Sequence, residues 1–190
     1  MKDEVKKARK LIREGKLVVY PTDTLYGIGA DAMNENAVRK VYFAKKRPFS
    51  MPLSIAVSEI EEMNEYGKMN EFAYKIAERF LPGPLTIIVK KRDVIPDIVA
   101  KEKVGIRIPA NEIARKIARN MPITSTSANI HGGPTPVSIE IANRQLGDKI
   151  SLYIDIGKLP GTPSTVIDVS EGIIKIIREG AIKESEFYGI

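Results

Sequence analysis

The sequence contains no cysteine, no tryptophan and a single histidine, His131. Without thiols there is no disulfide, no thiolate metal site and no cysteine nucleophile, and one imidazole leaves little for a zinc site, so no metal site is expected. No apolar run approaches the roughly 20 residues needed to cross a bilayer. The start, Met1-Lys2-Asp3-Glu4, is charged where a secretory signal would turn apolar. The expectation is therefore a soluble, cytoplasmic protein with no membrane partner. Neither a Walker A pattern nor G-x-G-x-x-G occurs, so nucleotide binding would need another kind of site. Internal repeats, linkers and low-complexity tracts are missing too.

What remains suits one globular core. At 190 residues the chain supports one substantial domain and not two comfortable ones. Thirty Lys and Arg against 24 Asp and Glu leave 30 − 24 = +6, an excess that suits an anionic ligand such as a nucleotide or RNA. Abundant charge without Cys or Trp also matches a thermophile's composition.

Leu17 to Tyr20 is apolar and continuous, as in a strand buried on both faces, and Pro21 is expected to stop it. Thr22, Asp23 and Thr24 follow, then Tyr26 with Gly27 and Gly29, where backbone must bend or admit a ligand. Helices are expected over Asp3 to Glu14, Asn36 to Lys46, from Ser58 with a Ser58–Glu61 capping box, Asn70 to Phe80, Asn111 to Arg119 and Ser138 to Leu146. Strands are expected over Pro52 to Val57, Leu85 to Lys91, Val104 to Ile108, Pro122 to Ser127, Leu152 to Ile156, Thr165 to Val169 and Ile173 to Ile177. The last two form a hairpin around Gly172. Strands outnumber a regular alternation with helices, which implies a mixed sheet with helices packed on it.

Four polar clusters sit past strand or helix ends: Thr22-Asp23-Thr24, Lys45-Lys46-Arg47, Arg107, and Ser125 to Asn129. Ligand sites of open α/β sheets collect at such ends. Each has an ordinary explanation: cations at a helix C-terminus interact with its dipole, and hydroxyl-rich turns bond their own backbone. Arg107 is the exception, because a charge inside an apolar strand needs a partner. The clusters hold no nucleophile–base pair; they suit holding anions in line. His131, in a glycine-rich loop, is expected to be idle.

In order along the chain come PTDTLYGIGADA (Pro21 to Ala32), K-x-R-P then PL (Lys45, Arg47, Pro48, Pro52, Leu53) and LPGPLT (Leu81 to Thr86). They are followed by GIRIP (Gly105 to Pro109), TSAN with G-x-P (Thr126 to Asn129, Gly132, Pro134), STVID (Ser164 to Asp168) and R-x-G-A-I (Arg178 to Ile182). On these motifs the chain resembles the YrdC/Sua5 family of threonylcarbamoyl-AMP synthases. The resemblance implies an α/β (α+β) fold, a twisted mixed sheet with flanking helices around a large basic cavity. It further implies a single YrdC-like domain over residues 1–190, without the second domain of the longer Sua5 type.

The implied reaction joins L-threonine, bicarbonate and ATP, with Mg²⁺, into threonylcarbamoyl-AMP and pyrophosphate for tRNA modification, a nucleotidyltransferase activity. A tRNA threonylcarbamoyl transferase would be the downstream partner. By the same resemblance Lys45 and Arg47 are the catalytic cations. Thr24, Tyr26, Arg107 and Thr126 fall at the threonine and bicarbonate site. Ser127, Asn129, Ser164 and Arg178 join Lys45 and Arg47 around ATP. Two other readings stay open: a basic surface that binds tRNA or rRNA without catalysis, and a YciO-like protein of the same superfamily.

Overall fold

The computed structural model describes residues 2–189. Helix α1 (Lys2–Arg13) leads into β1 (Val18–Pro21) and β2 (Tyr26–Gly29), and then α2 (Glu35–Lys45), β3 (Ser54–Ala56), α3 (Ile60–Tyr66) and α4 (Glu71–Phe80) follow. After these come β4 (Leu85–Lys90), β5 (Lys103–Arg107), α5 (Glu112–Ala118), β6 (Ile123–Ser127), α6 (Ile139–Leu146), β7 (Leu152–Tyr153), β8 (Thr165–Asp168) and β9 (Lys175–Arg178). The helices start where short polar side chains satisfy their first N–H groups: Asn34, Asn70, Asn111 and Ser138 cap α2, α4, α5 and α6.

The strands form one nine-stranded mixed sheet in the order β7-β1-β2-β6-β3-β5-β4-β8-β9. Its register separates the two faces. Ile55 of β3 pairs with Ile106 of β5, Ile106 with Ile87 of β4, Ile87 with Ile167 of β8, and Ile167 with Ile176 of β9. This row of isoleucines packs into one core with Val38, Val41 and Tyr42 of α2 and Ala73, Ile76 and Ala77 of α4. A second core forms where α1 and α5 cover β1, with Val5, Ala8, Ile12, Val18, Ile113 and Ile117.

Two expectations fail locally. Pro21 does not end the strand but pairs with Tyr26, and the segment expected to be a turn is β2, antiparallel to β1. Gly27 and Gly29 sit there because the ring of Tyr20 lies across both: a Cβ on either would come within 3.1–3.3 Å of that ring. The Ser58–Glu61 capping box is also absent, and Glu62 takes the role, accepting from both the backbone N–H and the hydroxyl of Ser58. The hairpin at Gly172 (φ +79°) forms as expected, its second strand shifted to Lys175–Arg178.

The backbone is tightly packed at Gly180, just past β9, where an added Cβ would clash with the Pro163 carbonyl oxygen and meet Ser164 backbone atoms at 2.6–2.7 Å. Gly180→Ala must therefore push two backbone segments apart. The expected cost is about 1–3 kcal/mol, or a melting temperature lower by several degrees, measurable by differential scanning calorimetry; an unchanged transition would contradict this packing.

Candidate active site

The sheet face opposite the isoleucine row carries a cavity of about 540 Å³. Its floor follows from register. Tyr20 pairs with Gly27 and Gly27 with Ser127; Ser54 pairs with Ser125; Thr86 pairs with Val166 and Val166 with Arg178; all of these line the cavity. Three arginines, Arg47, Arg107 and Arg178, join them, and among the described lining residues there is no Asp or Glu. Hydroxyls from Thr22, Thr24, Ser50, Thr126, Thr135 and Ser164 complete the wall.

Arg107, at the end of β5, is 5% exposed and satisfied from within. Its Nη2 donates to Oδ1 of Asp23 at 2.7 Å, Nη1 to the Thr24 hydroxyl at 3.0 Å and Nε to the Gly83 carbonyl at 3.2 Å. The Thr24 and Thr22 hydroxyls lie 3.0 Å apart, so the first polar cluster is a fixed network around a paired guanidinium. Arg107 thus has an internal carboxylate partner and orients Thr24, and it also stands on the cavity wall where the resemblance puts it.

Arg178 keeps more freedom. Nε and Nη2 donate to the Ser164 carbonyl at 3.2 and 2.7 Å, and the Ser164 hydroxyl lies 3.1 Å from that of Thr86. Burial first, then the nearby charge of Arg107, lowers the Arg178 pKa. Arg47 donates from Nε to the Met51 carbonyl at 3.2 Å and from Nη2 to the Pro52 carbonyl at 2.9 Å, leaving Nη1 uncommitted; burial lowers its pKa as well. Each is an arginine lining a carboxylate-free cavity, disposed to receive an anion.

Tyr26 lines the cavity, but it is buried and its hydroxyl is occupied. It donates to the Gly157 carbonyl at 2.7 Å, lies 3.1 Å from Asp155 Oδ1, and accepts from the Ile156 N–H at 3.0 Å. Thr126, Ser127 and Asn129 reach the wall from the end of β6 and the turn beyond it. The Ser127 hydroxyl donates to Asn129 Oδ1 at 2.6 Å, so both side chains do share one face. His131 is exposed.

Of the ten site residues expected from the sequence, the structure brings nine to the cavity wall: Thr24, Tyr26, Arg47, Arg107, Thr126, Ser127, Asn129, Ser164 and Arg178. Lys45 is the exception. It is 2% exposed, and its ammonium donates to the carbonyls of Ser127 and Asn129 and to Asn129 Oδ1. Alternation along a strand could have revealed further wall residues: Thr86 is a lone hydroxyl in the apolar run of β4, and Ile88 stands two positions on, on the same face. Ser50 and Thr135 lie in loops that carry no such signal.

Burial, with a smaller contribution from Arg47, lowers the Lys45 pKa from 10.5 to about 7. Between those values the unfolded chain holds a proton that the folded chain lacks, so this group's contribution to stability rises with pH across that window. In thermal melts the parent should gain on Lys45→Met as pH is raised from about 7 to about 10. A difference between the two proteins that stays constant with pH would show that burial does not lower the Lys45 pKa.

The comparisons with known proteins show the family and the fold. A family model covering Sua5, YciO and YrdC, described as "Telomere recombination", matches residues 10–180. A Methanocaldococcus jannaschii relative is 49% identical over 92% of the chain and 84% of its own length. The Pyrococcus abyssi threonylcarbamoyl-AMP synthase is 40% identical over 96% of the chain, which spans 56% of that protein. The solved structure of P. abyssi Sua5 complexed with L-threonine superimposes with a TM-score of 0.91 over 96% of this chain and 55% of the other. The Escherichia coli YciO structure does so at 0.88, with 26% identity over 96% and 92% of the two chains.

Proposed function

The chain belongs to the Sua5/YciO/YrdC family, and on that premise we propose that it is a threonylcarbamoyl-AMP synthase, a nucleotidyltransferase that joins L-threonine, bicarbonate and ATP. The observation that carries the reading is the cavity itself: three arginines and a ring of hydroxyls in about 540 Å³, with no carboxylate among its described lining residues. Such a wall suits two anions brought together, as the reaction requires. The amino group of threonine takes up bicarbonate as a carbamate with loss of water. A carbamate oxygen then attacks the α-phosphorus of ATP, the bond to the bridging oxygen breaks, and pyrophosphate leaves. Like charges approach in that step, and fixed cations lower its barrier.

The protein's part is positional. Arg47 and Arg178 stand where phosphate or carboxylate oxygens can be gripped, while Thr24, oriented by Arg107, and the Ser125–Asn129 stretch offer uncharged hydrogen bonds for the amino acid and nucleotide. The wall provides no carboxylate, and the described residues contain no cluster of His, Cys, Asp or Glu fit to hold a metal. In this reading Mg²⁺ enters with the substrate, carried on the phosphates of MgATP. The product is a labile mixed anhydride, suited to a separate tRNA threonylcarbamoyl transferase. No helix among the described residues is long and apolar enough to cross a membrane, which is compatible with a cytoplasmic tRNA-modification route.

Purified protein should release pyrophosphate from MgATP only when L-threonine and bicarbonate are both present. Release that ignores threonine would refute the reading, and salt-sensitive tRNA binding without turnover would favour an RNA-binding module. Arg47→Ala should lower the rate by at least about 30-fold, as expected when a cation is removed from a desolvated ligand anion. Arg47→Lys should recover little, because an ammonium cannot hold both loop carbonyls and a ligand oxygen in the fork's geometry. Turnover of Arg47→Ala close to that of the parent would return this arginine to the role of a loop tie.

A further inference from the structure

Lys45 closes α2 and is the one expected site residue that does not reach the cavity. Its backbone carbonyl accepts from the His131 N–H at 2.7 Å, and its side chain runs under the turn formed by residues 127–133. All three ammonium protons find acceptors there: the Ser127 carbonyl, the Asn129 carbonyl at 2.8 Å and Asn129 Oδ1 at 3.3 Å. An ammonium has three donors and no acceptor, so none remains for a ligand.

These partners have a consequence for Asn129. Its Oδ1 receives Lys45 and the Ser127 hydroxyl together, which forces the oxygen of the amide to face inward. Its Nδ2 then points the other way, with one N–H spent on the Gly133 carbonyl at 2.9 Å and one left over. The hydroxyl of Ser127, having given its proton to Oδ1, keeps only lone pairs for the cavity. If the amide were turned over, Nδ2 would face an ammonium and a hydroxyl proton, a donor against donors.

We propose that Lys45 is a positioning residue that fixes the Asn129 amide, so that the turn presents to the cavity an N–H donor at Asn129 and an acceptor at Ser127. Asn129 therefore meets an electronegative ligand atom such as a phosphate or carboxylate oxygen. Ser127 meets a ligand N–H or O–H, such as an amine or hydroxyl of the amino acid or the ribose. This divides two side chains that the sequence alone would give the same role. The loss of the lysine is felt by the ligand only through Asn129 and Ser127.

The orientation can be read without any ligand. In ¹⁵N-labelled protein one of the two Asn129 side-chain amide protons, held on the Gly133 carbonyl, should exchange slowly with water, and Lys45→Met should shift both resonances and speed that exchange. The ligand arm rests on the synthase reading and uses MgATP and L-threonine in calorimetry. Lys45→Met should weaken at least one of them by about tenfold or more, and Lys45→Met/Asn129→Ala should bind as weakly as Asn129→Ala alone. Asn129→Asp keeps the lysine but replaces the Nδ2 donor with an oxygen that faces the Gly133 carbonyl, so it should melt somewhat lower than the parent and bind MgATP more weakly. Should Lys45→Met fail to fold, this last variant carries the test. Unchanged Asn129 resonances in Lys45→Met would overturn the proposal, as would losses that multiply in the double variant or an Asn129→Asp protein that binds like the parent. Parent protein that binds neither ligand would remove the synthase reading, and the resonances would still decide the role of Lys45.

Discussion

The two-faced register of the sheet is the constraint from which the rest follows. From β3 to β9 one row of isoleucines, Ile55, Ile106, Ile87, Ile167 and Ile176, turns toward α2 and α4. Since side chains alternate along a strand, that row commits the neighbouring positions to the opposite face. A slip of one residue would carry isoleucines into the cavity and Thr86, Arg107 or Ser125 into the core, stranding buried polar groups. The apolar core and the polar site are thus two readings of the same strands, and the site inherits its rigidity from the core.

The cavity accumulates cationic groups, and the fold treats each differently. Arg107 is neutralised by Asp23 and turned into scaffolding for Thr24. Lys45 is neutralised by nothing but is saturated by carbonyl and amide oxygens, a partner set that satisfies its protons while leaving its charge uncompensated; hence the strong downward pull of burial on its pKa. Arg47 is tied to backbone carbonyls and Arg178 to the carbonyl and hydroxyl of Ser164, neither to a carboxylate, and their charge remains available to an anion. Positive charge without carboxylates is costly to maintain in an empty cleft and is relieved by an anionic ligand. That is the physical reason to read the site as one for phosphates and carboxylates.

Much of this was legible in the primary structure because it depends on local rules. Asparagine and serine caps, proline and glycine stops and 3.6-residue periodicity place the helices to within a residue or two, and the apolar runs place the strands, except that the one expected over Leu152 to Ile156 pairs only at Leu152–Tyr153. Of the ten site residues that the ordered motifs marked, nine line the cavity. Local rules failed at β2, which looks like a turn because its glycines answer to the ring of Tyr20 across the hairpin; at Ser58 the capping spacing was one residue short, and the partner is Glu62.

By itself, then, the sequence determined the mixed α/β class, the element order, the lack of thiol chemistry and the polar segments from which a site could be drawn. Only the tertiary structure decided which cations face a ligand and which are internal struts. Lys45 and Arg47 are two residues apart and chemically alike on paper. One lies under the 127–133 turn with every proton taken, and the other lines the cavity with a nitrogen to spare. Their difference is set by acceptors more than 80 residues away in the chain for Lys45 and about five away for Arg47. A charge is defined by what surrounds it, and the surroundings exist only after the sheet has closed.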